Sequence, residues 1–165
     1  MEIQFVKHVD CSDELLNRIC LLKQQHWNYS MDMQQEWIRK NIGPDDMHVV
    51  IFDSNKLLAY SNLIYVTSWV NTEKRRFIGV GNVCVDGQFQ HLKLGYLLMA
   101  SIRYYSTKIN CPGILFCKNS LVRFYEKCGW IKYHGVAFVR EDYLDCSIMT
   151  LAPLTCEKIV FDQNF

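Results

Sequence analysis

Residues 81–96 read GNVCVDGQFQHLKLGY, and the fold prediction starts from this stretch. The run up to Val85 is apolar and rich in β-branched residues, which predicts a buried strand. Asp86 and Gly87 interrupt the run with residues that are typical of turns. Apolar side chains then recur at positions 94, 97, 98, 102 and 105, which share one face of a helix. The pattern therefore predicts a strand, a short polar loop and a helix.

The loop of this unit carries no acidic residue between Gly87 and the helix. The first backbone N–H groups of a helix have no internal partner, and the helix dipole favours an anion beside them. A diphosphate is the ligand that this arrangement favours. The same unit also occurs as plain scaffold in many α/β proteins, so the pattern by itself leaves both interpretations open.

Residues 90–95, QHLKLG, resemble the acetyl-CoA-binding motif of the GNAT acetyltransferases, Gln/Arg-x-x-Gly-x-Gly/Ala. They match it at Gln90 and Gly95, and Lys93 stands where the first glycine is usual. The resemblance implies that acetyl-CoA is the cofactor and that backbone N–H groups of this loop bind its diphosphate.

A second segment, residues 119–130, reads NSLVRFYEKCGW and is similar to the family's Asn-x-x-Ala-x-x-Phe-Tyr-Glu-Lys-x-Gly-Phe. Agreement is close from Phe124 to Trp130, whereas Asn119 lies one residue nearer to the Phe-Tyr pair than the family's asparagine. Within the superfamily, residues 48–53 and 56–58 also resemble part of the aminoglycoside 2′-N-acetyltransferases, with the nodulation acyltransferases as a related resemblance.

The resemblance implies the GNAT acyl-CoA N-acyltransferase fold, in the α/β class with a mixed α+β sheet. We expect a single domain over residues 1–165, with about six or seven strands and helices on both faces of the sheet. Gly79 and Gly81 lie inside the predicted central strand, and glycine there suggests a bulge or a close backbone approach. In the family this strand splays from its neighbour and the pantetheine arm inserts in the gap, so a split is expected beside Val83–Val85.

The residues implied to bind acetyl-CoA form the end of the central strand, the loop and the helix start, with Asn119 near the pantetheine arm. They are Val83, Cys84, Val85, Gln90, His91, Leu92, Lys93, Leu94, Gly95, Tyr96 and Asn119. Tyr125 matches the family tyrosine that protonates the coenzyme A sulfur, and it is the implied catalytic residue. A plain helix cap at Asn119 and a core aromatic at Tyr125 are the alternatives.

The acceptor cleft is implied to lie beside the first two helices, where Trp27, Tyr29, Asp32 and Trp37 are candidates to line it. The alternative is that the tryptophans belong to the core and the acids are solvated. No metal is expected, because no Cys/His set has the spacing of zinc ligands.

The general base is the point at which the chain departs from its relatives. In the aminoglycoside enzymes a glutamate on the central strand assists through water, and a gapless alignment puts Gly81 there, beside Asn82. Neither residue can act as a base. Some GNAT proteins need no dedicated base, because a free amine fraction suffices. Acids without a predicted position could substitute, namely Asp32, Glu36, Glu141 and Asp142.

Bulk properties set the outer limits of the interpretation. The 165 residues are 50% hydrophobic with a net charge of +1, which fits one soluble domain and provides no basic field for nucleic acid. The sequence contains neither a long apolar run nor a signal-peptide pattern, so we expect a cytoplasmic protein without a membrane span. Its eight cysteines are expected to be reduced thiols, and it is expected to be a monomer or a homodimer.

Read in order, the chain predicts the elements βααβββαβαββ. Asp10 and Ser12 are cap candidates for the first helix, and Asn119 is a cap candidate for the helix that carries Tyr125. Gly129 is expected to end that helix, and residues 136–151 to supply one or two closing strands.

Two functions follow from the resemblance. The first is an acetyl-CoA-dependent N-acetyltransferase that acts on a primary amine of a small molecule by direct attack. The second is a catalytically idle GNAT fold that binds an acyl-CoA or a partner, since a fold does not determine activity.

Overall fold

The structure is a computed structural model, and it describes residues 1–163 and 165. Within this range the chain forms four α-helices and ten strands. The helices are α1 (Asp13–Gln24), α2 (Met31–Asn41), α3 (Leu94–Lys108) and α4 (Val122–Lys127). The strands are β1 (Glu2–Lys7), β2 (Met47–Asp53), β3 (Lys56–Val70), β4 (Glu73–Val85), β5 (Gly113–Cys117), β6 (Ile131–Tyr133), β7 (Val136–Val139), β8 (Asp142–Tyr143), β9 (Ser147–Thr150) and β10 (Lys158–Phe161).

The chain divides into two compact units. Unit 1 comprises Met1–Ile64 and Gly81–Ile102, and unit 2 comprises Tyr65–Val80 and Arg103–Phe165. The two long strands β3 and β4 therefore contribute residues to both units.

In unit 1, β2 lies between β1 and β3 and is antiparallel to both. Two serines begin the helices of this unit, because the hydroxyl of Ser12 accepts the N–H of Leu15 and that of Ser30 accepts the N–H of Met33, each at 3.2 Å. Ser12 thus confirms one of the two predicted caps of α1. Ile19, Leu22 and Lys23 form part of the buried face of α1, which packs against α2.

In unit 2, β5 is parallel to β4 through two residue pairs, Ile78 with Gly113 and Gly79 with Ile114. Along its other edge, β5 pairs with β9. Strand β9 lies between β5 and β6 and is antiparallel to both. Strand β10 is antiparallel to β3 and parallel to β7, and β8 pairs with β7 as a short hairpin.

The mixed sheet flanked by helices confirms the predicted fold class. The element order is also as predicted through α4. The expected strand number is wrong, because the closing segment forms three strands, β7, β8 and β9, and the tail adds β10. These strands are two to four residues long, and such short runs give little periodic signal in the sequence.

Gly79 shows the close approach that its position in a strand predicted. A Cβ at this position would collide with the ring of Phe165, which also contacts the Phe116 ring at a centroid distance of 4.3 Å. The ladder between β4 and β5 ends at Gly79, before the residues Val83–Val85 beside which the sequence predicts a split sheet. The packing of the Phe165 ring in unit 2 therefore requires a glycine at position 79.

The structure also bears on the state of the cysteines and on the length of the apolar helices. All eight cysteines are free thiols, and Cys20, Cys84, Cys117 and Cys156 are buried. No helix in the described part of the chain combines the length and apolar composition needed to cross a bilayer.

Candidate functional site

The end of β4 departs from regular strand geometry at Asn82. This residue has a φ of 52°, in the left-handed region that non-glycine residues rarely adopt. Its side-chain amide donates to Oδ1 of Asn62 on β3 at 2.6 Å, and the hydroxyl of Ser61 donates to the carbonyl of Gly81 at 2.8 Å. Because a left-handed residue redirects the neighbouring peptide groups, it forms the kind of local irregularity that the strand glycines predicted.

The three residues that follow, Val83 to Val85, form the predicted cofactor strand. Val83 and Val85 are half-buried, and Cys84 is buried. Burial raises the pKa of the Cys84 thiol to about 12, although nearby Lys23 and a hydrogen bond from the backbone of Tyr60 both lower it. The thiol is therefore protonated near neutral pH, which supports packing and not nucleophilic chemistry as its role.

The loop after β4 is a 3-10 helix over Gly87–Leu92, and Asp86 begins it by accepting the N–H of Gln88 at 3.0 Å. Burial opposes ionisation of Asp86, but hydrogen bonds from Gln88, Lys56 and Gln25 bring the pKa of its carboxyl below the ordinary value. Asp86 is thus a charged, structural residue at the turn, and its Oδ2 lies 3.2 Å from Nζ of Lys56.

Lys93 ends the 3-10 helix with a φ of 56°, and α3 begins at the next residue. This left-handed conformation explains why the family motif has glycine here, since glycine adopts it without the Cβ penalty. Gln90, His91, Leu92, Lys93 and Tyr96 are exposed.

Leu94 and Gly95, at the start of α3, differ in how far they are buried. Gly95 is half-buried, whereas the side chain of Leu94 is buried in the core. Of the predicted loop residues, Leu94 can therefore contribute its backbone only.

Two residues from the turn after α1, which the sequence interpretation missed, contact the end of β4 and the residues just after it. Oε1 of Gln25 accepts the N–H of Gly87 at 3.0 Å, and Nε2 of His26 lies 2.8 Å from the carbonyl oxygen of Val85. Both residues follow α1, about sixty positions before their partners. Spacing in the sequence therefore carries no signal for these contacts. His26 falls three residues after Lys23, just past the end of α1, and it is exposed, so the helical pattern gives no signal for it either.

The predicted acceptor residues also lie in unit 1. Trp27 is half-buried, with its ring 5.7 Å from the His26 ring between centroids. Tyr29 is 53% exposed, and Asp32 is exposed in the first turn of α2. Their roles in acceptor binding remain predictions.

Lys23 is a buried cation in the same unit. Lys23 is only 2% exposed, and its Nζ lies 4.6 Å from the centroid of the Trp37 ring. Burial lowers the pKa of the lysine. The ring face of Trp37 compensates part of the desolvation of the ammonium, so Trp37 has a structural role whatever its relation to the acceptor.

Unit 2 contains Tyr125, which lies on α4 and is 6% exposed. Its ring makes edge contacts with Phe124 and Trp130 at centroid distances of 5.0 and 6.4 Å. Burial raises the pKa of the phenol, with nearby Cys117 and Cys128 acting in the same direction. The hydroxyl therefore keeps its proton at neutral pH, as a general acid must.

Asn119 does not cap α4, and that prediction is wrong. The residue begins a separate 3-10 helix over Asn119–Leu121, and Leu121 occupies the cap position of α4. Oδ1 of Asn119 instead accepts the hydroxyl of Ser147 at 2.5 Å. The missing residue between Asn119 and the Phe-Tyr pair thus changes which backbone groups the asparagine can reach. Gly129, with a φ of 83°, ends α4 as predicted.

A cavity of about 260 Å³ opens beside Asn119 in unit 2. Its polar lining includes both signs of charge and two tyrosines, from Lys132, Tyr133, His134, Tyr143, Asp145 and Ser147. The proposed base candidates Glu141 and Asp142 are exposed. In unit 1, Oε1 of Glu36 forms an ion pair with Nζ of Lys40 at 2.7 Å.

The described residues contain no cluster of three His, Cys, Asp or Glu side chains suited to a metal ion.

The acetyltransferase (GNAT) family matches the chain over residues 14–130, and the chain belongs to this family. Among proteins of curated function, none matches the sequence significantly.

Solved structures show the same fold. Escherichia coli ElaA aligns with a TM-score of 0.68 at 19% identity, over 92% of this chain and 100% of that one. An aminoglycoside 6′-N-acetyltransferase complexed with coenzyme A aligns with a TM-score of 0.67 at 14% identity, over 93% and 98%. Glucosamine-6-phosphate N-acetyltransferase from Arabidopsis thaliana aligns with a TM-score of 0.58 at 24% identity, over 81% and 95%. At these identities the likeness establishes the fold, which is the acyl-CoA N-acyltransferase fold predicted from the sequence.

Proposed function

We propose that the protein is an acetyl-CoA-dependent N-acetyltransferase that acts on a primary amine of a small molecule. The observation that carries this proposal is the loop before α3. Its left-handed turn falls on Lys93, the position where the family motif has glycine, and the helix begins at the next residue. A backbone conformation that is costly for lysine persists where the surrounding structure or a function requires it.

The diphosphate of the cofactor would lie at the start of α3, on backbone N–H groups of the segment from Gln90 to Tyr96. Within this segment the N–H groups of Lys93 and Tyr96 already donate to the carbonyls of Gln90 and Lys93, at 3.4 and 3.0 Å, so the donors to the diphosphate are sought among the others, such as Leu94 and Gly95. The segment has no acid, and Lys93 and His91 are exposed beside it. Helix N-termini bind such anions because their first N–H groups are unpaired and the dipole is favourable. The related aminoglycoside 6′-N-acetyltransferase was solved with coenzyme A bound, which supports the choice of cofactor.

The reaction is a direct attack of the acceptor nitrogen on the thioester carbon. The lone pair of the neutral amine forms the C–N bond, the C–S bond breaks, and the departing thiolate takes the proton of the Tyr125 hydroxyl. The nitrogen releases one N–H proton, which restores the phenol through water. Backbone N–H groups from Val83 to Val85 would stabilise the oxyanion between these events, which is the usual contribution of such donors. The phenol of Tyr125 is protonated at neutral pH and so has a proton to give, and burial raises its pKa further.

The acceptor would bind near the residues that follow α1 and begin α2. Trp27 and Tyr29 offer partly accessible aromatic surface, and Asp32 offers a carboxylate for an ammonium group. A small amine with an apolar portion fits this combination, since aromatic faces favour apolar bodies and cations.

One observation favours the second candidate, a GNAT fold that binds acyl-CoA without transferring the acyl group. At Asn82 the end of β4 carries an amide, bonded to the amide of Asn62, and Gly81 beside it has no side chain. Neither residue can accept a proton from an ammonium ion.

Two measurements separate the candidates. Release of coenzyme A thiol from acetyl-CoA, in the presence of a panel of primary amines, should be amine-dependent if the protein is an acetyltransferase. Thermal unfolding with and without acetyl-CoA tests binding alone, because a ligand that binds the native state raises the melting temperature. A shift without thiol release would favour the binding module. No shift at millimolar acetyl-CoA would contradict both candidates.

A further inference from the structure

The proposed transfer lacks a proton acceptor on β4. A primary amine is largely an ammonium ion at neutral pH, and it must lose a proton before its nitrogen has a lone pair with which to attack a thioester. The residues at the strand irregularity, Gly81 and Asn82, cannot take that proton. A group brought to the strand from elsewhere in unit 1 is therefore needed, if the reaction uses a dedicated base.

His26 is such a group. Its Nε2 lies 2.8 Å from the carbonyl oxygen of Val85, at the end of the predicted thioester-binding strand. A carbonyl oxygen only accepts hydrogen bonds, so Nε2 carries the proton and Nδ1 of the neutral ring keeps its lone pair. The hydrogen bond thereby determines the tautomer. The ring is exposed, so a proton taken at Nδ1 can pass to water.

The position of the ring is held by contacts on both sides. The backbone N–H of His26 donates to the carbonyl of Lys23 at 3.0 Å, which continues the last turn of α1. Its neighbour Gln25 accepts the N–H of Gly87 at 3.0 Å and donates to the carboxylate of Asp86. The turn after α1 is thus attached to the cofactor strand and to the loop that follows it.

Several charged and titratable groups lie on the surrounding elements of unit 1. Lys23 on α1 is buried against Trp37, and Lys56 on β3 is paired with Asp86 after β4. Cys84 on β4 is a protonated thiol. Asp32 on α2 and His91 before α3 are exposed, and His26 is distinguished from them by the contact of its ring with the carbonyl of Val85.

We propose that His26 is the proton acceptor for the acceptor amine, an assignment that rests on the proposed acetyltransferase function. Nδ1 of His26 takes one proton from the ammonium group, which frees the nitrogen lone pair for attack on the thioester carbon, and the ring becomes an imidazolium. The carbonyl of Val85 stabilises this cation through the Nε2–H bond. The C–S bond then breaks and the thiolate takes the proton of Tyr125. The nitrogen releases its second proton, which restores the phenol through water, and the imidazolium returns its proton to water.

The test compares two nucleophiles that differ in their need for a base. One is 2-phenylethylamine, an ammonium ion at neutral pH, and the other is hydroxylamine, which is largely neutral there. For His26→Ala we expect the rate of thiol release with 2-phenylethylamine to fall by roughly two to four orders of magnitude, the usual contribution of a general base. The rate with hydroxylamine should fall much less. Added imidazole should restore part of the lost rate.

His134→Gln is the matched control, because His134 is an exposed histidine of unit 2 that lies outside the proposed cofactor loop. It should leave the ratio of the two rates unchanged. Equal losses with both nucleophiles in His26→Ala, without rescue by imidazole, would show that His26 only positions the turn after α1 and would overturn the proposal. An unchanged rate would also overturn it. A parent protein that binds acetyl-CoA but releases no thiol with either nucleophile would contradict the acetyltransferase function itself.

Discussion

The loop at residues 90–95 and the segment at residues 119–130 relate to their family motifs in opposite ways. The loop departs from its motif at Lys93, yet Lys93 adopts the left-handed conformation that the motif glycine would adopt. The second segment keeps the motif asparagine, yet Asn119 caps no helix and bonds to Ser147 instead. The first region has a different residue in the conformation that glycine favours. The second has the motif residue at a shifted position, where the helix-cap alternative is wrong and contact with the pantetheine arm stays a prediction.

The difference follows from what each motif position requires. A position that needs only a backbone conformation can be filled by any residue that tolerates its cost, about 1–2 kcal/mol for a left-handed non-glycine residue. A position that needs a side chain at a given distance depends on register, and one residue of offset changes the groups within reach. Backbone roles are therefore the safer inference from an imperfect motif match.

The strongest test of the second segment is Tyr125→Phe. This change removes the proposed proton donor and keeps the ring that packs against Phe124 and Trp130. Acetyl transfer in a single turnover should slow by roughly two to four orders of magnitude. The melting temperature and the acetyl-CoA affinity should be nearly unchanged.

Tyr133→Phe is the control for this variant. Tyr133 is a buried tyrosine of the same unit whose hydroxyl donates to the carbonyl of Val136 at 3.4 Å. Its loss should lower the melting temperature and leave the transfer rate per folded molecule unaltered. The reverse result, with Tyr125→Phe unstable and active, would make Tyr125 a core residue.

Gly95→Asp tests the loop. An aspartate at the start of α3 places a negative charge where the proposed diphosphate binds, so like-charge repulsion should weaken acetyl-CoA binding at least about tenfold, or 1.4 kcal/mol. The readout is the shift in melting temperature on adding acetyl-CoA. Ala100→Asp, on an exposed position further along the same helix, adds the same charge and should retain the shift. Undiminished binding to Gly95→Asp would mean that the diphosphate lies elsewhere.

Ser147→Ala tests whether the altered partner of Asn119 matters for stability. The change removes one hydrogen bond and leaves Oδ1 of Asn119 without the Ser147 hydroxyl. We expect the free energy of unfolding in urea to fall by about 0.5–1.5 kcal/mol. In the Asn119→Ala background the same change should have almost no effect, because its partner is already absent. Equal effects in both backgrounds would show that the two side chains act independently.

Lys93→Gly should have the smallest effect, and it is stabilising. Glycine relieves the left-handed strain but adds chain entropy to the unfolded state, so a gain of about 0.5–1 kcal/mol in unfolding free energy is expected. Lys93→Ala keeps the strain and removes the same charge, so it separates conformation from electrostatics. A loss of stability in Lys93→Gly would show that the lysine side chain, and not the backbone, determines the loop.

The sequence was sufficient where signals are local. The strand, loop and helix around residues 81–96 and the end of α4 at Gly129 follow from periodicity and glycine chemistry. The contact of His26 with Val85 could not be predicted, because nothing in the spacing of two residues 59 positions apart encodes it. The number of closing strands was underestimated, at one or two where three form before β10, because each depends on its neighbours for pairing and runs of this length carry no distinct period.

The burial of the cysteines has a practical consequence for measuring thiol release. Burial raises the pKa of Cys117 to about 11 and, with help from Asp13, that of Cys11 to about 11. At pH 7 such a thiol is about one ten-thousandth thiolate, the form that attacks disulfide reagents. These two thiols and Cys84 should therefore react slowly with a chromogenic disulfide reagent, whereas released coenzyme A reacts with it rapidly. Heating past the unfolding transition should expose them together, so a single dye reports turnover in the native protein and loss of structure on melting.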